Sequence, residues 1–333
     1  MAKPARTAAL PLAFLMGVDD SGREIVELTP NGDIQIIYMG TCSFLPQLTP
    51  GRFDIRQVWL SSRSNRLPRL QPGPLVNYIA DPDSHSATLA KAQRLIERLG
   101  NPPCFNPPHA VMRTRRDTLS RLLQGIPGVR MPRTVRIEAR HPDEFAETAR
   151  KEKLNYPLIV RLAGTHNGKT MLRIENPGEW DAVHALPWQG SAAYLAEFVD
   201  TRDPADGCYR KHRIVMVGGK PHLLHIYISP DWNVHRKVTL QTPEAFAEEL
   251  TKIESFERSL LPRIAPALKE IHRRIGLDYY GIDCHVGRDA ALTVFEANAA
   301  MNALNPVPSQ RERSRTRIKA AIEKRLARYV RRG

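Results

Sequence analysis

Apolar positions in the first third of the chain form short runs separated by polar, turn-rich segments. The runs at 11–18, 34–39 and 54–60 are alternating or continuous and have the length of strands, so they predict β-strands. Residues 86–100 instead repeat apolar side chains at helical spacing, with a serine available as N-cap and a glycine at the end. Strands followed by such a helix predict a small α/β domain over residues 1–107.

Turn chemistry divides the middle of the chain. The Pro-rich segment 101–110 predicts a domain boundary, and residues 114–117 (TRRD) match a capping box that would open a short helix. Apolar runs at 156–163 and 192–199 predict two strands. Two further runs within 213–228 are joined by Gly-Gly, which predicts a β-hairpin.

The last part of the pattern predicts two amphipathic helices, a hairpin and a basic helix. The helices cover 243–258 and 263–275, and the hairpin covers 279–298. Residues 311–332 hold ten basic and two acidic side chains, and apolar residues recur there every four positions: Ile318, Ile322, Leu326 and Val330. We interpret this segment as a helix docked on the body with a solvated basic face; a nucleic-acid or membrane site is the alternative.

Composition adds a charge bias to an otherwise ordinary globular chain. Of the 333 residues, 42% are apolar and 25% charged, and the formal net charge of +14 with a pI near 9.9 favours anionic ligands without choosing among them. The four cysteines are widely separated and form no CxxC pair, which indicates reduced thiols and a cytoplasmic protein. The apolar run 8–18 lacks a signal-peptide cleavage site, and no other run is long enough to span a membrane.

The final hairpin carries polar residues that strands disfavour. Glu296 and Asn298 lie two positions apart and therefore share one face, and Asp283 comes from the partner strand. Two carboxylates and an amide oxygen are hard ligands suited to Mg²⁺. The alternative is that Asp283 and Asn298 only terminate strands.

A loop with anion-binding character follows the strand that contains Arg161. Its residues are Gly164, Thr165, His166, Asn167, Gly168 and Lys169. Glycines and small polar residues after a buried strand can turn backbone N–H groups toward phosphate. The spacing matches neither a Walker A sequence nor a dinucleotide-binding fingerprint.

Together, these motifs resemble the ATP-grasp superfamily of carboxylate–amine ligases over roughly residues 74–305. The segments that carry the resemblance are GIPGVRMPRTVRI, YPLIVRLAGTHNGK, AEFVD, RKHRIVMVGGKPHLLHI and GIDCHV through FEANAAMN. The resemblance implies an α/β (α+β) fold in which two α+β lobes sandwich ATP after a small pre-ATP-grasp α/β domain. The implied domains are 1–107, 108–199 and 200–310, followed by the basic helix 311–333.

The resemblance also implies roles for single residues. Asp283, Glu296 and Asn298 would hold Mg²⁺, or Mn²⁺ in its place, on ATP. The adenine and ribose would meet Glu197, Phe198, Val199 and Asp200, with Asp206 as an alternative for ribose, and loop 164–169 would close over the phosphates. Arg116 and Arg161 stand where the family usually has Lys and would bind phosphate, Arg213 would act at the transferred group, and His225 and Asn302 would contact substrate. Lys211 departs from the family, which commonly has an acidic residue there.

The activity implied is an ATP- and Mg²⁺-dependent ligase that joins a carboxylate to an amine, or to a thiol, through an acyl phosphate with release of ADP and phosphate. Its partners would be a small-molecule or peptide carboxylate and a nucleophile, and a homodimer is an open alternative. A small-molecule kinase of the same fold is the first alternative. A non-catalytic, basic nucleic-acid-binding or regulatory protein is the second.

Overall fold

In the computed structural model the chain folds into two compact units. The structure describes residues 9–22, 24–29, 31–71, 73–165, 168, 170–187, 191–236, 238–305 and 311–331. One unit comprises Met1–Met112, Leu277–Tyr280 and Ala299–Gly333, and the other comprises Arg113–Gly276 and Gly281–Asn298. The domain boundaries inferred from the sequence at 107, 199 and 310 stay predictions.

The described regular elements are fifteen strands, seven α-helices and two 3₁₀ turns. The strands are β1 (Leu10–Gly17), β2 (Ile25–Leu28), β3 (Ile34–Ile37), β4 (Phe53–Leu60), β5 (Leu75–Asn77), β6 (Cys104–Phe105), β7 (Val129–Arg130), β8 (Thr134–Ile137), β9 (Leu158–Leu162), β10 (Met171–Ile174), β11 (Ala193–Glu197), β12 (Tyr209–Val217), β13 (Lys220–Ser229), β14 (Tyr279–Val286) and β15 (Leu292–Asn298). The helices are α1 (Ser86–Arg98), α2 (Pro108–Met112), α3 (Arg116–Leu122), α4 (Asp143–Lys151), α5 (Pro243–Ser255), α6 (Leu261–Ile275) and α7 (Glu312–Val330). The 3₁₀ turns are Leu45–Gln47 and Trp180–Ala185.

The first unit is built on a parallel sheet in the order β4-β1-β5-β6. Strand β1 is central and its second half is buried, as its continuous apolar run predicts. Helix α1 packs on β1 and β4 with Leu89, Ala92 and Leu95 inward. The sheet and helices therefore form an α/β domain.

Two predicted helix starts are wrong in detail. His85 occupies the N-cap of α1 without a side-chain cap, and Asp20 supplies the acceptor oxygens instead, 2.7 Å from Ala87 N and 3.0 Å from Thr88 N. At α3 no capping box forms, because Asp117 accepts from Arg115 and Arg121 and Arg115 is the N-cap. At α1 the capping oxygens come from a residue distant in sequence, and at α3 two neighbouring arginines bind the carboxylate that the local pattern assigned to a capping box.

Helix α7 completes the core of the first unit. Ile318, Ile322 and Leu326 are buried, and the helix packs against β1 and β6, so the docked interpretation of its apolar stripe is confirmed. Two buried carboxylates fix it. Glu323 accepts from Thr49 N, Thr49 Oγ1 and Arg52 Nη1 at 2.7–2.8 Å. Asp278 accepts from Arg325 Nε at 2.7 Å, Tyr329 Oη at 2.7 Å and Asn106 N at 3.1 Å.

The hairpin β2–β3 forms a separate two-stranded antiparallel sheet in the first unit. Its register pairs Val26 with Ile36 and Leu28 with Ile34. These four apolar side chains share one face and are exposed. The hairpin thus presents an apolar surface to solvent.

The second unit contains two sheets. The antiparallel sheet β10-β9-β11-β8 encloses a core with Phe145, Leu158, Val160 and Leu195 at its centre. The second sheet has the order β13-β12-β14-β15-β7, with β7 parallel to β15. The predicted Gly-Gly turn joins β12 to β13: both glycines have positive φ (56° and 81°), which the mirror-image turns of hairpins require.

Within the parts of the chain that the structure describes, no helix combines the length and the apolar character needed to cross a membrane.

Candidate functional site

The three residues predicted to bind metal come together on one face of the five-stranded sheet. Asp283 on β14 lies opposite Glu296 on β15, and Asn298 follows two positions along β15. Opposite residues of an antiparallel pair point to the same face, and so do residues two apart in one strand. A bulge after Asp283 shifts the later register but leaves this pairing intact.

The carboxylate of Asp283 is buried against two cations. Arg213 on β12 donates to both oxygens, from Nε at 2.8 Å and from Nη2 at 2.9 Å, and Lys211 Nζ lies 3.5 Å away. Burial raises the pKa of Asp283, but Arg213 and Lys211 outweigh burial, and the pKa lies below its ordinary value. Asp283 is therefore charged at neutral pH.

Glu296 is paired with cations from two other elements. Arg116, the first residue of α3, forms an ion pair with its Oε2, and Arg161 Nη1 on β9 lies 4.0 Å from the same oxygen. Arg116 also donates to the carbonyl of Phe295 at 3.3 Å. The side chains of Arg116, Arg161 and Glu296 are mostly buried. Four cations therefore surround two carboxylates, which leaves an excess of positive charge suited to a phosphate chain.

Asn298 adds a buried oxygen without a hydrogen-bond partner. None of the residues that the structure describes donates a hydrogen bond to its Oδ1. A buried amide oxygen without a donor is costly, and a cation is one of the groups that can satisfy it. Over the described ranges, no three His, Cys, Asp or Glu side chains come together as a metal site. The donor set of two carboxylates and one amide oxygen is nevertheless hard oxygen chemistry and fits Mg²⁺.

The predicted phosphate loop is described in part. Gly164 and Gly168 have φ of 68° and 70°, the left-handed conformation that glycine adopts without strain. Arg161 donates to the carbonyl of Thr165, and Asn233 Nδ2 donates to the carbonyl of Gly168 at 3.1 Å. His166, Asn167 and Lys169 lie outside the described residues. The described part has the backbone freedom that a phosphate loop requires.

The segment predicted to contact adenine follows β11. Glu197 Oε1 accepts from Asn155 N and Nδ2 at 3.0 and 2.8 Å, Phe198 N donates to Pro157 O at 2.8 Å, and Val199 is buried. Asp200 is half exposed and is bound by Arg202. Arg202 also holds the pKa of Asp200 below its usual value. These contacts shape the segment but do not identify a base.

The remaining predicted residues divide between the two units. His225 lies opposite Arg213 in the β12–β13 register, is buried, and stacks on Tyr227 with ring centroids 4.0 Å apart. Asp206 pairs with Arg210, which lowers its pKa to about 2. Asn302 belongs to the first unit, where its Oδ1 accepts from Asn305 N at 3.1 Å. The role of Asn302 in substrate binding therefore stays a prediction.

Two residues that contact predicted site residues were not themselves predicted as site residues. Lys211 appeared in the sequence only as a departure from the family; strand alternation puts it on the same face of β12 as Arg213, and the structure places its Nζ 3.5 Å from Asp283. The guanidinium of Arg173 lies 3.9 Å from the ring centroid of Phe198. That contact joins β10 to the segment after β11, and no local sequence pattern signals it.

Among known proteins, this chain is similar to solved structures but matches no family model and no curated sequence. D-alanine–D-alanine ligase from Bacillus anthracis, solved in complex with ATP, is 13% identical, with 98% of this chain and 99% of that chain covered and a TM-score of 0.51. VanG D-Ala:D-Ser ligase from Enterococcus faecalis is 11% identical over 97% and 99%, with a TM-score of 0.55. D-alanyl-alanine synthetase A from Vibrio cholerae is 10% identical over 98% and 100%, with a TM-score of 0.53.

These likenesses extend over nearly the whole chain, and at such low identity they establish the fold alone. The expected α/β architecture is confirmed. The chain has the ATP-grasp fold that its sequence motifs predict.

Proposed function

We propose that the protein is an ATP-dependent, ADP-forming ligase that joins a carboxylate to an amine. The observation that carries the proposal is the cluster on the five-stranded sheet. In it, Asp283 faces Glu296 beside the unpartnered oxygen of Asn298, and four cations surround the pair. Two proteins of similar fold are named as ligases of D-alanine with a second amino acid, and one of them was solved with ATP.

Asp283, Glu296 and Asn298 would hold Mg²⁺, or Mn²⁺ in its place, and the bound ion would neutralise charge on the triphosphate. Arg116, Arg161, Lys211 and Arg213 now lie against these carboxylates. They would turn toward the phosphate oxygens when nucleotide binds, where arginine supplies a bidentate fork. Loop 164–169 would cover the phosphates, and residues 197–200 would contact adenine and ribose.

The proposed reaction has two steps. A substrate carboxylate oxygen attacks the γ-phosphorus, the bond between that phosphorus and the β–γ bridging oxygen breaks, and ADP leaves. The amine of the second substrate then attacks the acyl carbon of the acyl phosphate, phosphate leaves, and the nitrogen loses a proton. Positioning and charge stabilisation suffice for both steps, which suits a site rich in arginine. His225, opposite Arg213, would orient the substrate.

The test measures ADP release and hydroxamate formation with ATP, Mg²⁺, hydroxylamine and pooled carboxylates. Hydroxylamine captures an acyl phosphate and leaves a coloured hydroxamate. Glu296→Gln should lower both signals about a hundredfold or more, because it removes a charge that orders the reacting groups. Glu138→Gln is the matched control, since Glu138 is an exposed carboxylate of the same unit that follows β8 and pairs with Arg136 on that strand, and it should leave both signals unchanged.

Other outcomes assign other functions. ADP release without hydroxamate would favour a kinase that phosphorylates a hydroxyl group. Hydroxamate formation with thioester as the natural product would favour carboxylate–thiol ligation. If no ADP forms and a fluorescent ATP analogue does not bind, the ligase proposal is wrong, and the non-catalytic alternative with its basic helix α7 remains.

A further inference from the structure

The exposed side of helix α7 carries five cations in one line. Successive helical residues are about 100° apart, so these five positions fall within about 60° of the helix circumference. Residue 331, the C-cap, keeps helical backbone angles (φ −77°, ψ −10°) and continues the line. At about 1.5 Å per residue the line is about 27 Å long. We call these exposed residues the basic row: Arg313, Arg317, Lys324, Arg328 and Arg331.

The three remaining cations of the helix lie off the basic row and are paired with carboxylates. The pairs are Arg315 with Glu312, Lys319 with Glu323, and Arg325 with Asp278. Glu312 and Glu323 are the only acidic residues in the sequence of α7, and both lie about 80–100° around the helix from the start of the row. The basic row is therefore a strip of a single sign of charge.

The row opposes the stability of the helix that carries it. Arg313 and Arg317 are four positions apart, as are Lys324 and Arg328, and like charges at this spacing on a helix repel. Arg313 also lies in the first turn, where the helix dipole disfavours a cation. The buried apolar stripe of α7 holds the helix on the core without help from these side chains. A polyanion along the row would remove the repulsion.

We propose that the basic row binds the phosphate backbone of a double-helical nucleic acid. A duplex presents closely and regularly spaced phosphates of one sign, so a straight strip of cations about 27 Å long can contact several of them. Four of the five residues are arginines, whose planar guanidinium can donate two hydrogen bonds to one phosphate. The net charge of +14 attracts the same polyanion over a longer range.

The buried side of α7 argues against a membrane surface. A helix that binds lipid inserts an apolar face between the headgroups. In α7 that face is already covered, because Ile318, Ile322 and Leu326 are buried in the core of the first unit. Within the sector of the basic row, Ala320 is the one exposed apolar residue, and its single methyl group offers little to insert.

The row has no means of reading bases. Single strands are bound largely by stacking on aromatic side chains, and the aromatic residue of α7, Tyr329, donates to Asp278 at 2.7 Å and packs against the ring of Phe105. The exposed positions of α7 outside the row are Glu312, Thr316 and Ala320. None of these is a long amide side chain of the kind that pairs with base edges. We therefore expect binding to a duplex that does not depend on its sequence.

The dependence on salt measures how many cations take part. The logarithm of the binding constant falls by about 0.9 per tenfold rise in salt for each phosphate neutralised, so five contacts give a slope of about −4.5. Binding of this kind has a Kd on the order of 10 µM near physiological salt.

The test is fluorescence anisotropy of a fluorescein-labelled 24-base-pair DNA duplex titrated with the whole chain between 0.05 and 0.2 M KCl. The variant replaces three residues of the row by glutamine: Arg313→Gln, Lys324→Gln and Arg328→Gln. It should weaken binding about tenfold or more at 0.1 M KCl and reduce the salt slope by about 2.7. All three side chains are exposed, so the variant should fold, which circular dichroism and thermal melting verify.

The matched control removes three exposed cations from the end of α4 in the second unit: Arg150→Gln, Lys151→Gln and Lys153→Gln. It lowers the net charge of the chain by the same amount. Its Kd should stay within about threefold of the wild type, because the basic row is intact. A second duplex of unrelated sequence should bind the wild type equally well.

Three results would overturn the proposal. The first is a wild-type chain that leaves the anisotropy unchanged up to 100 µM at 0.05 M KCl. The second is a control variant that loses as much affinity as the row variant, which would assign binding to net charge. The third is a wild type that ignores the duplex but floats with phosphatidylserine vesicles and loses this binding in the row variant. ATP turnover does not enter these measurements, so they test the basic row separately from the ligase proposal.

Discussion

Replacing Asp278 by asparagine should destabilise the first unit while preserving the shape of the side chain. The buried carboxylate of Asp278 joins three segments of that unit: the loop at Asn106, the residues before β14, and helix α7 through Arg325 and Tyr329. An amide keeps one acceptor oxygen but turns an NH₂ group toward one of these donors. It also leaves Arg325 without a charged partner.

The magnitude follows from the geometry. Breaking a buried ion pair from one side costs about 3–5 kcal/mol. The side chain of Arg325 is about one-quarter exposed, so water replaces part of the lost interaction. We therefore expect a loss of about 2–4 kcal/mol in the free energy of unfolding of the first unit. Arg325→Met should cost a similar amount, and the double variant should cost less than the sum, since both changes remove one interaction.

The assay combines guanidinium denaturation with hydrogen exchange of the backbone amides in α7. Exchange in 312–330 reports on the first unit even if the two units unfold separately. Arg328→Met is the matched control, because Arg328 lies on the exposed side of the same helix; its effect should stay within about 0.5 kcal/mol. A loss below about 1 kcal/mol for Asp278→Asn, with unchanged protection of α7, would refute the reasoning.

Two further predictions concern the second unit. His212 is buried, which lowers its pKa to about 3 from 6.5, so the unfolded chain binds a proton first as pH falls. Because of this one histidine, the free energy of unfolding should fall by about 1.4 kcal/mol per pH unit between pH 6 and pH 3.5. Denaturation measured across this pH range should show a shallower fall for His212→Phe than for the wild type. Equal slopes for the two proteins would contradict the prediction. Gly219→Ala should cost about 1–3 kcal/mol in a thermal melt, because φ is 81° and the new Cβ would lie 3.0 Å from His272 Nε2. Gly207→Ala, with φ of 71° and open space, should cost less, and an equal cost would assign the loss to backbone strain alone.

Local patterns predicted the elements that local chemistry determines. The Gly-Gly hairpin, the final hairpin and helix α7 all occur within a few residues of their predicted bounds, because side-chain periodicity and turn residues specify them. Strand β10 was not predicted, since its four residues gain their regularity from pairing with β9. The cap of α1 comes from Asp20, more than sixty residues earlier, and no local rule finds it.

The candidate site shows the same division. Strand alternation was sufficient to place Glu296 and Asn298 on one face. That Asp283 shares this face follows from the register of β14 against β15. The resemblance assigned Arg116, Arg161 and Arg213 to phosphate, but their ion pairs with the two carboxylates depend on how α3, β9 and β12 meet in space. Those pairs follow from tertiary packing, which sequence spacing does not contain.

The first unit combines stretches from the beginning and the end of the chain, and this affects how it folds during synthesis. Leu15 on β1 and Leu326 on α7 belong to one core, and Arg52 meets Glu323 across 271 positions. A ribosome adds roughly 5–20 residues per second, so the apolar side of β1 waits on the order of tens of seconds for its covering helix. During that interval the nascent N-terminal sheet has an uncovered surface that a chaperone could bind. The intervening unit has all of its own residues earlier and can fold first.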